Sequence, residues 1–254
     1  MTIRWDKAVF AGHSHLFALG APQGYDGPLE LVEIERIGRP IRFLSEKWGG
    51  TGRSPDYWNR LVELSAENPV AFVYYGNHHY IKFMFRPTPM FDFYDPDVPA
   101  ISEVEGTIVL PRSLIIAEVH KSLVPLNILL EKFRKAGCPG VRVLGTPAPK
   151  RDSNAYRDIL MRLPHIKQVA AAAGIEIAEA EMSPECVLLK MWRATQQETE
   201  ALCLKMGAEF IPVPPKSLDE DGYLADSCSS PDDFTHANAF YGELMLDWFF
   251  NDRK

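Results

Sequence analysis

The sequence is poor in cysteine and spaces what it has without a motif. Cys138, Cys186, Cys203 and Cys228 are the only four in 254 residues, and no pair stands in C-x-x-C spacing, so neither a zinc ribbon nor a redox dithiol is written there. A chain of this length buries roughly 70–75% of its unfolded surface and needs no disulfide staples. Free thiols in a reducing compartment are therefore expected.

Long apolar runs are also missing. The opening stretch MTIRWDKAVF carries Arg4, Asp6 and Lys7 where a secretory leader would need an apolar core, and no run approaches the ~18 apolar residues of a membrane span. A soluble, cytoplasmic protein that engages no membrane is expected. Basic charge is neither in excess nor concentrated: 27 Lys and Arg against 34 Asp and Glu leave a formal net charge of -7. Scattered positive charge argues against nucleic acid as a partner. No internal repeat or linker appears, so residues 1–254 are read as one domain.

What is present is 46% hydrophobic residues, arranged as short apolar runs alternating with longer segments of helical period. This pattern predicts an α/β fold, a three-layer α/β/α sandwich around a mainly parallel five-stranded sheet. Strands are expected near 7–12, 30–36, 70–75, 141–145 and 208–213. Helices are expected from Ser54 or Pro55 to Ala66, from Pro111 towards Ala136 with a kink or break at Pro125, over 154–173 with an interruption at Pro164, and over 184–206 up to Gly207. A last helix should run from Thr235 or His236 to Phe250, with Phe240, Leu244 and Trp248 on one face. Residues 85–106, with four prolines and several aromatics but no period, are expected to form either a wall or lid over a site or an aromatic flap packed on the surface.

In parallel α/β sheets ligands sit beyond the C-terminal ends of the strands. Three polar clusters stand at such places or near the chain end: GHSH (12–15), YYGNHHY (74–80) and DDFTHANAFYGE (232–243). Taken singly, each has a structural reading. Ser14 suits a helix N-cap as well as a nucleophile, Asp233 could cap a helix whose first turn carries an exposed His236, and Asn77 suits a left-handed turn. His13, His15, His78 and His79 are residue types that hold metal ions. GHSH and GNHH are similar to pieces of the calcineurin-like metallophosphoesterases, in reversed order and without that family's D-x-H and G-D-x-x-D. The segment GTPAPKRD (145–152) offers Lys150 or Arg151 to an anionic group, with a solvated loop as the simpler expectation.

Together the clusters resemble the SGNH/GDSL hydrolases, which carry Ser, Gly, Asn and His in four separated blocks in that order. Gly12-His13-Ser14 matches the first block, KWGGTGRS (47–54) the second, Gly76-Asn77 the third and Asp233-Phe234-Thr235-His236 the fourth. Two positions depart from the family pattern: His13 and His78 stand where the family usually has Asp. The resemblance implies Ser14 as nucleophile, His236 as its base, Asp233 as the group that orients the imidazole, and an oxyanion hole from Ser14, Gly50 and Asn77, with Gly52 the other candidate glycine. It implies a serine esterase acting on a short acyl ester, such as an O-acetyl group on a sugar or small metabolite, or an acyltransferase using the same triad, with no cofactor or metal. The rival expectations are a metal-dependent phosphoesterase built on the four histidines and a ligand-binding protein of the same fold without catalysis.

Overall fold

The computed structural model describes residues 3–47, 54–74, 83–87, 89–151 and 181–251, together with 159, 162, 167–168, 170–171 and 176. In chain order its strands are β1 (Val9–Gly12), β2 (Glu30–Arg36), β3 (Arg39–Ser45), β4 (Val70–Val73), β5 (Phe91–Phe93), β6 (Ile108–Leu110), β7 (Val141–Leu144) and β8 (Glu209–Ile211). Four helices accompany them among the described residues: α1 (Pro55–Ser65), α2 (Arg112–Lys135), α3 (Glu185–Met206) and α4 (Ala239–Phe250). The fold is α/β.

The main sheet has six strands in the order β2-β3-β1-β4-β7-β8, not the five expected, and β5 pairs with β6 in a separate two-stranded sheet. All pairings in the main sheet are parallel except β2 with β3, an antiparallel hairpin in register from Glu30↔Ser45 to Arg36↔Arg39. The missed strand is β3. Its turn is the tight pair Ile37-Gly38, both with positive φ (48° and 72°), the twist that suits a two-residue hairpin.

Strand β1 is buried at all four positions, as a strand covered on both faces requires. On one face Phe10, Phe43, Val73, Leu144 and Ile211 pack with Tyr241, Met245, Leu246 and Phe249 of α4. On the other, Val9, Leu44, Val70, Phe72 and Val143 pack with Tyr57 and Leu61 of α1 and with Leu126, Leu130 and Phe133 of α2.

The helix boundaries follow local chemistry. Ser54 caps α1 by accepting from the Tyr57 N–H at 3.1 Å, with Pro55 at the first helical position. Glu46 in turn accepts from the Ser54 N–H and hydroxyl at 3.1 and 3.0 Å. Of the expected kink or break at Pro125, the break does not occur: helix α2 runs continuously through it. Proline removes one backbone bond there, the one to the Lys121 carbonyl, while burial of Ile115 and Val119 before it and Leu126, Leu129, Leu130 and Phe133 after it holds both halves. By length and composition alone α2 is apolar enough to cross a membrane, with a mean hydropathy of 1.4 in its most apolar stretch; Leu114, Val124 and Ile128 on it are exposed. Helix α3 ends at Gly207 with φ 74°. Most of the helix expected over 154–173 lies outside the described residues.

Helix α4 begins three or four residues later than the expected Thr235 or His236. Asn238 caps it by accepting from the Tyr241 N–H at 3.1 Å, and the buried face is Tyr241, Gly242, Met245, Leu246 and Phe249. Of the expected Phe240/Leu244/Trp248 face, Leu244 and Trp248 are half-buried against that core and Phe240 is 48% exposed.

The segment 85–106 is fastened to α3. Lys190 and Asp92 are both fully buried, with Nζ at 2.9 and 3.1 Å from the carboxylate. Lys190 also donates to the carbonyls of Phe93 and Ala100 at 3.1 and 2.5 Å, and Asp92 accepts from the Ser102 N–H at 2.8 Å. One turn on, Arg193 pairs with Asp95 at 3.6 Å and with Asp97. Residues 92–102 are thus packed on α3.

Candidate functional site

The chain leaves β1 for β3 on one side of it and then crosses to β4 on the other. Such a switch in direction opens a crevice at the C-terminal end of the strand. Tyr57 spans the opening: its hydroxyl accepts from the Gly12 N–H at 2.9 Å and donates to the Leu44 carbonyl at 3.0 Å, joining β1 and β3 where their own ladder has ended. Gly12 has φ 139°, and a Cβ there would lie 2.3 Å from the Val73 carbonyl oxygen. Only glycine allows β4 to come this close to β1.

After Gly12 the chain turns into a short 3-10 helix, Ser14–Phe17, with His13 in the capping position and making no side-chain cap bond. Ser14 is thus not a helix cap. Its O–H donates to His236 Nε2 at 2.6 Å across 222 positions of sequence.

His236 stands in the loop ahead of α4, a loop organised by backbone bonds. Ser229 and Ala237 form an antiparallel bridge, and Asn238 donates to the carbonyls of Ser227 and Ser229 at 2.8 and 3.1 Å. The two oxygens of Asp233 divide the remaining task. Oδ1 accepts from the N–H groups of Thr235 and His236, both at 2.7 Å, and Oδ2 accepts from His236 Nδ1–H at 2.7 Å. Because a carboxylate only accepts, the proton of the neutral imidazole is on Nδ1 and the Nε2 lone pair faces Ser14. Burial opposes the charge on Asp233, but the bonds from the His236 ring and from the two backbone N–H groups outweigh it and hold the carboxyl below its ordinary range.

His15 completes the surroundings. It is buried, with its ring centroid 4.7 Å from that of His236. Burial first, and then the neighbouring His236, push its pKa down to about 3, so a neutral imidazole lies against His236. Helix α4 packs directly on the turn after Ser14: a Cβ on Gly242 would lie 1.6 Å from the Ala18 carbonyl oxygen. This contact brings the two halves of the site together.

Of the predicted residues, Ser14, Asp233 and His236 are thus in one hydrogen-bonded line. Gly50, Gly52, Asn77, His78 and His79 lie outside the described residues. The His13 ring packs against Trp58 and Tyr74, at centroid distances of 5.3 and 5.7 Å, whereas the His15 ring meets His236. Among the described residues no three His, Cys, Asp or Glu side chains converge as a metal site. A cavity of about 200 Å³ opens at the ends of β4 and β7, lined by residues including Tyr74, Pro125, Thr146, Gln196 and Phe210; neither Ser14 nor His236 lines it.

The segment expected as a solvated loop is not one. Residues 145–150 are buried throughout, and the exposed Arg151 that follows is engaged by Asp219 at 2.7 Å and by Asp221. Asn238 was legible as an N-cap before an apolar run, and Gly242 as a glycine inside a helical pattern. Tyr57 gave no comparable signal, and His15 and Lys150 were singled out for other roles, as a metal-ligand type and as a contact for an anionic group.

No protein-family model matches the chain, and a search of curated proteins returns no match.

Proposed function

We propose that the protein is a serine hydrolase of the SGNH/GDSL type that acts on an ester through an acyl-enzyme at Ser14. The observation that carries this reading is the line Ser14 Oγ, His236 Nε2, His236 Nδ1, Asp233 Oδ2, with heavy-atom distances of 2.6 and 2.7 Å. In the same reading the layers of helix on either side of the sheet are the three-layer sandwich of that family.

A serine hydroxyl is a weak nucleophile at neutral pH, and the base that takes its proton as it attacks must be within hydrogen-bond reach. His236 meets that condition and carries the accepting lone pair on the correct nitrogen. As the proton moves to Nε2 the ring becomes cationic, and the Asp233 carboxylate stabilises that charge and keeps the ring in its plane. The oxygen of the attacked carbonyl gains negative charge, for which the Ser14 N–H, the Gly50 N–H and the Asn77 side-chain NH2 are the assigned donors, each worth about 3–4 kcal/mol. His236 then returns its proton to the leaving alcohol, and the acyl group stays on Ser14. Attack by water, with His236 again as base, releases the acid; another alcohol in place of water makes the same machinery an acyltransferase.

The substrate class we assign is a short acyl ester, with an O-acetyl group on a sugar or small soluble metabolite as the first choice. The reaction needs no cofactor or metal, and the reading includes neither nucleic acid nor membrane as a partner. The test is acid quenching of the protein during turnover of p-nitrophenyl acetate, followed by mass mapping. One acetyl group on the Ser14 peptide, and none in Ser14→Ala, is the expected result. Equal acetyl-ester turnover by wild type and Ser14→Ala would contradict it.

A further inference from the structure

Downstream of β7 the chain is unusually constrained. Trp192 Nε1 donates to the Thr146 carbonyl at 3.0 Å, and Gln196 donates to the Thr146 hydroxyl at 3.1 Å while accepting from its N–H at 3.3 Å. Three residues on, Pro149 accepts from the Leu224 N–H at 2.9 Å. Pro147 and Pro149 each have φ fixed by their rings. The backbone leading to Lys150 is therefore held from α3 and from the loop that precedes the candidate site.

Lys150 is 3% exposed. Its ammonium reaches across eighty or more positions of sequence to donate to the carbonyl of Ser230 at 2.7 Å and to that of Asp233. Both acceptors belong to the turn whose carboxylate, on Asp233, orients His236. An ammonium has three donors, and charge-assisted bonds are about twice as strong as neutral ones.

We propose that Lys150 is a positioning residue for the Asp233–His236 pair: its buried ammonium anchors the 230–233 turn through two backbone carbonyls and so sets where the carboxylate stands. The inference rests on the hydrolase reading above. Lys150 touches neither Ser14 nor a reacting atom; it acts through Asp233. Asp233 is the acid facing it, the His236 and His15 rings lie beyond, and the neighbouring Arg151 is turned to Asp219 and Asp221. Burial lowers the Lys150 pKa to about 8, against the opposing pull of Asp233, so the ammonium loses its proton within the pH range in which an assay can be run. A neutral amine holds the turn less firmly.

The experiment is the rate at which a fluorophosphonate labels Ser14 in the full chain, measured from about pH 6 to about pH 10, a range that brackets the Lys150 titration, with thermal unfolding as a check of folding. The expectation is that Lys150→Met labels about tenfold more slowly than wild type at neutral pH. Wild type should slow as pH rises through about 8, whereas Lys150→Arg, charged across the whole range, should label faster than Lys150→Met and keep its rate. Labelling of Lys150→Met at the wild-type rate would overturn the role, as would an identical alkaline fall in wild type and Lys150→Arg. If Lys150→Met does not fold, that last comparison decides. A wild type never labelled at Ser14 removes the hydrolase reading and this role together; a labelled wild type with an equally fast Lys150→Met removes only the role of Lys150.

Discussion

Lys190 and Lys150 are both buried lysines, and they are bonded to different things. Lys190 meets the Asp92 carboxylate as well as two carbonyls and ties residues 92–102 to α3. Lys150 meets the backbone of the turn that carries Asp233. The first joins scaffold to scaffold, with an ion pair that has to offset the desolvation of both charges. The second joins scaffold to site. The difference teaches that a buried charge is not in itself a functional signal; what decides is whether the group it holds takes part in chemistry.

Substitutions separate the two regions by the observable they move. The largest effect belongs to the site: Ser14→Ala and His236→Ala should each lower kcat by about 10³–10⁶-fold while the thermal midpoint stays near wild type, as steady-state ester hydrolysis beside a melting curve will show. Next comes the scaffold. Lys190→Met strands the Asp92 carboxylate in the interior and should destabilise by about 3–5 kcal/mol in urea titration, with turnover per folded molecule unchanged. Replacing Asp92 by Leu in the same chain should restore part of that loss, because no charge is then left uncompensated, although the Ser102 N–H and the Phe93 and Ala100 carbonyls lose their partners. A drop in turnover without a drop in stability at Lys190 would break the comparison.

Gly242→Ala lies between the two regions. Its Cβ would meet the Ala18 carbonyl at 1.6 Å, so α4 has to shift from the Ser14 turn. A loss of about 1–3 kcal/mol is expected, accompanied by slower labelling of Ser14. The smallest effect is the acid sensitivity of His15. Its pKa is about 3 in the folded protein against 6.5 for the free side chain, so the unfolded chain binds the extra proton between those values. Stability should then fall as pH drops, by about 2 kcal/mol between about pH 6 and about pH 4. That contribution should vanish in His15→Phe, measured by urea titration at both pH values.

Much of this architecture was legible in sequence because local signals and packing agreed. Buried parallel strands read as continuous apolar runs, and the Ser54-Pro55 start and the Gly207 stop read as caps. Strand β3 did not, because Arg39, Pro40 and Arg42 mask its pattern and Ile37 is not a residue that announces a left-handed turn. Pro125 does not end its helix, because burial on both sides of it outweighs one lost backbone bond. At the site, Ser14, Asp233 and His236 were singled out by the resemblance of their blocks to the SGNH/GDSL pattern, while each alone read as well as a helix cap or first-turn residue. The buried position of Lys150 was not legible, since a lysine after a proline-rich stretch reads as solvated, and only the burial of the whole segment 145–150 shows that it faces inward. The start of α4 shifted because Asp233 serves the loop through its Oδ1, leaving the capping of the helix to Asn238.

The central claim is that Ser14 is an activated nucleophile with His236 as its base. Intact-mass measurement after treatment with a fluorophosphonate, followed by peptide mapping, addresses it whatever the substrate is, because the reagent reacts with the activated serine itself. The account predicts a single adduct, located on Ser14, in the wild-type protein and none in His236→Ala. An unlabelled wild type, or an adduct that forms equally well without His236, would contradict it.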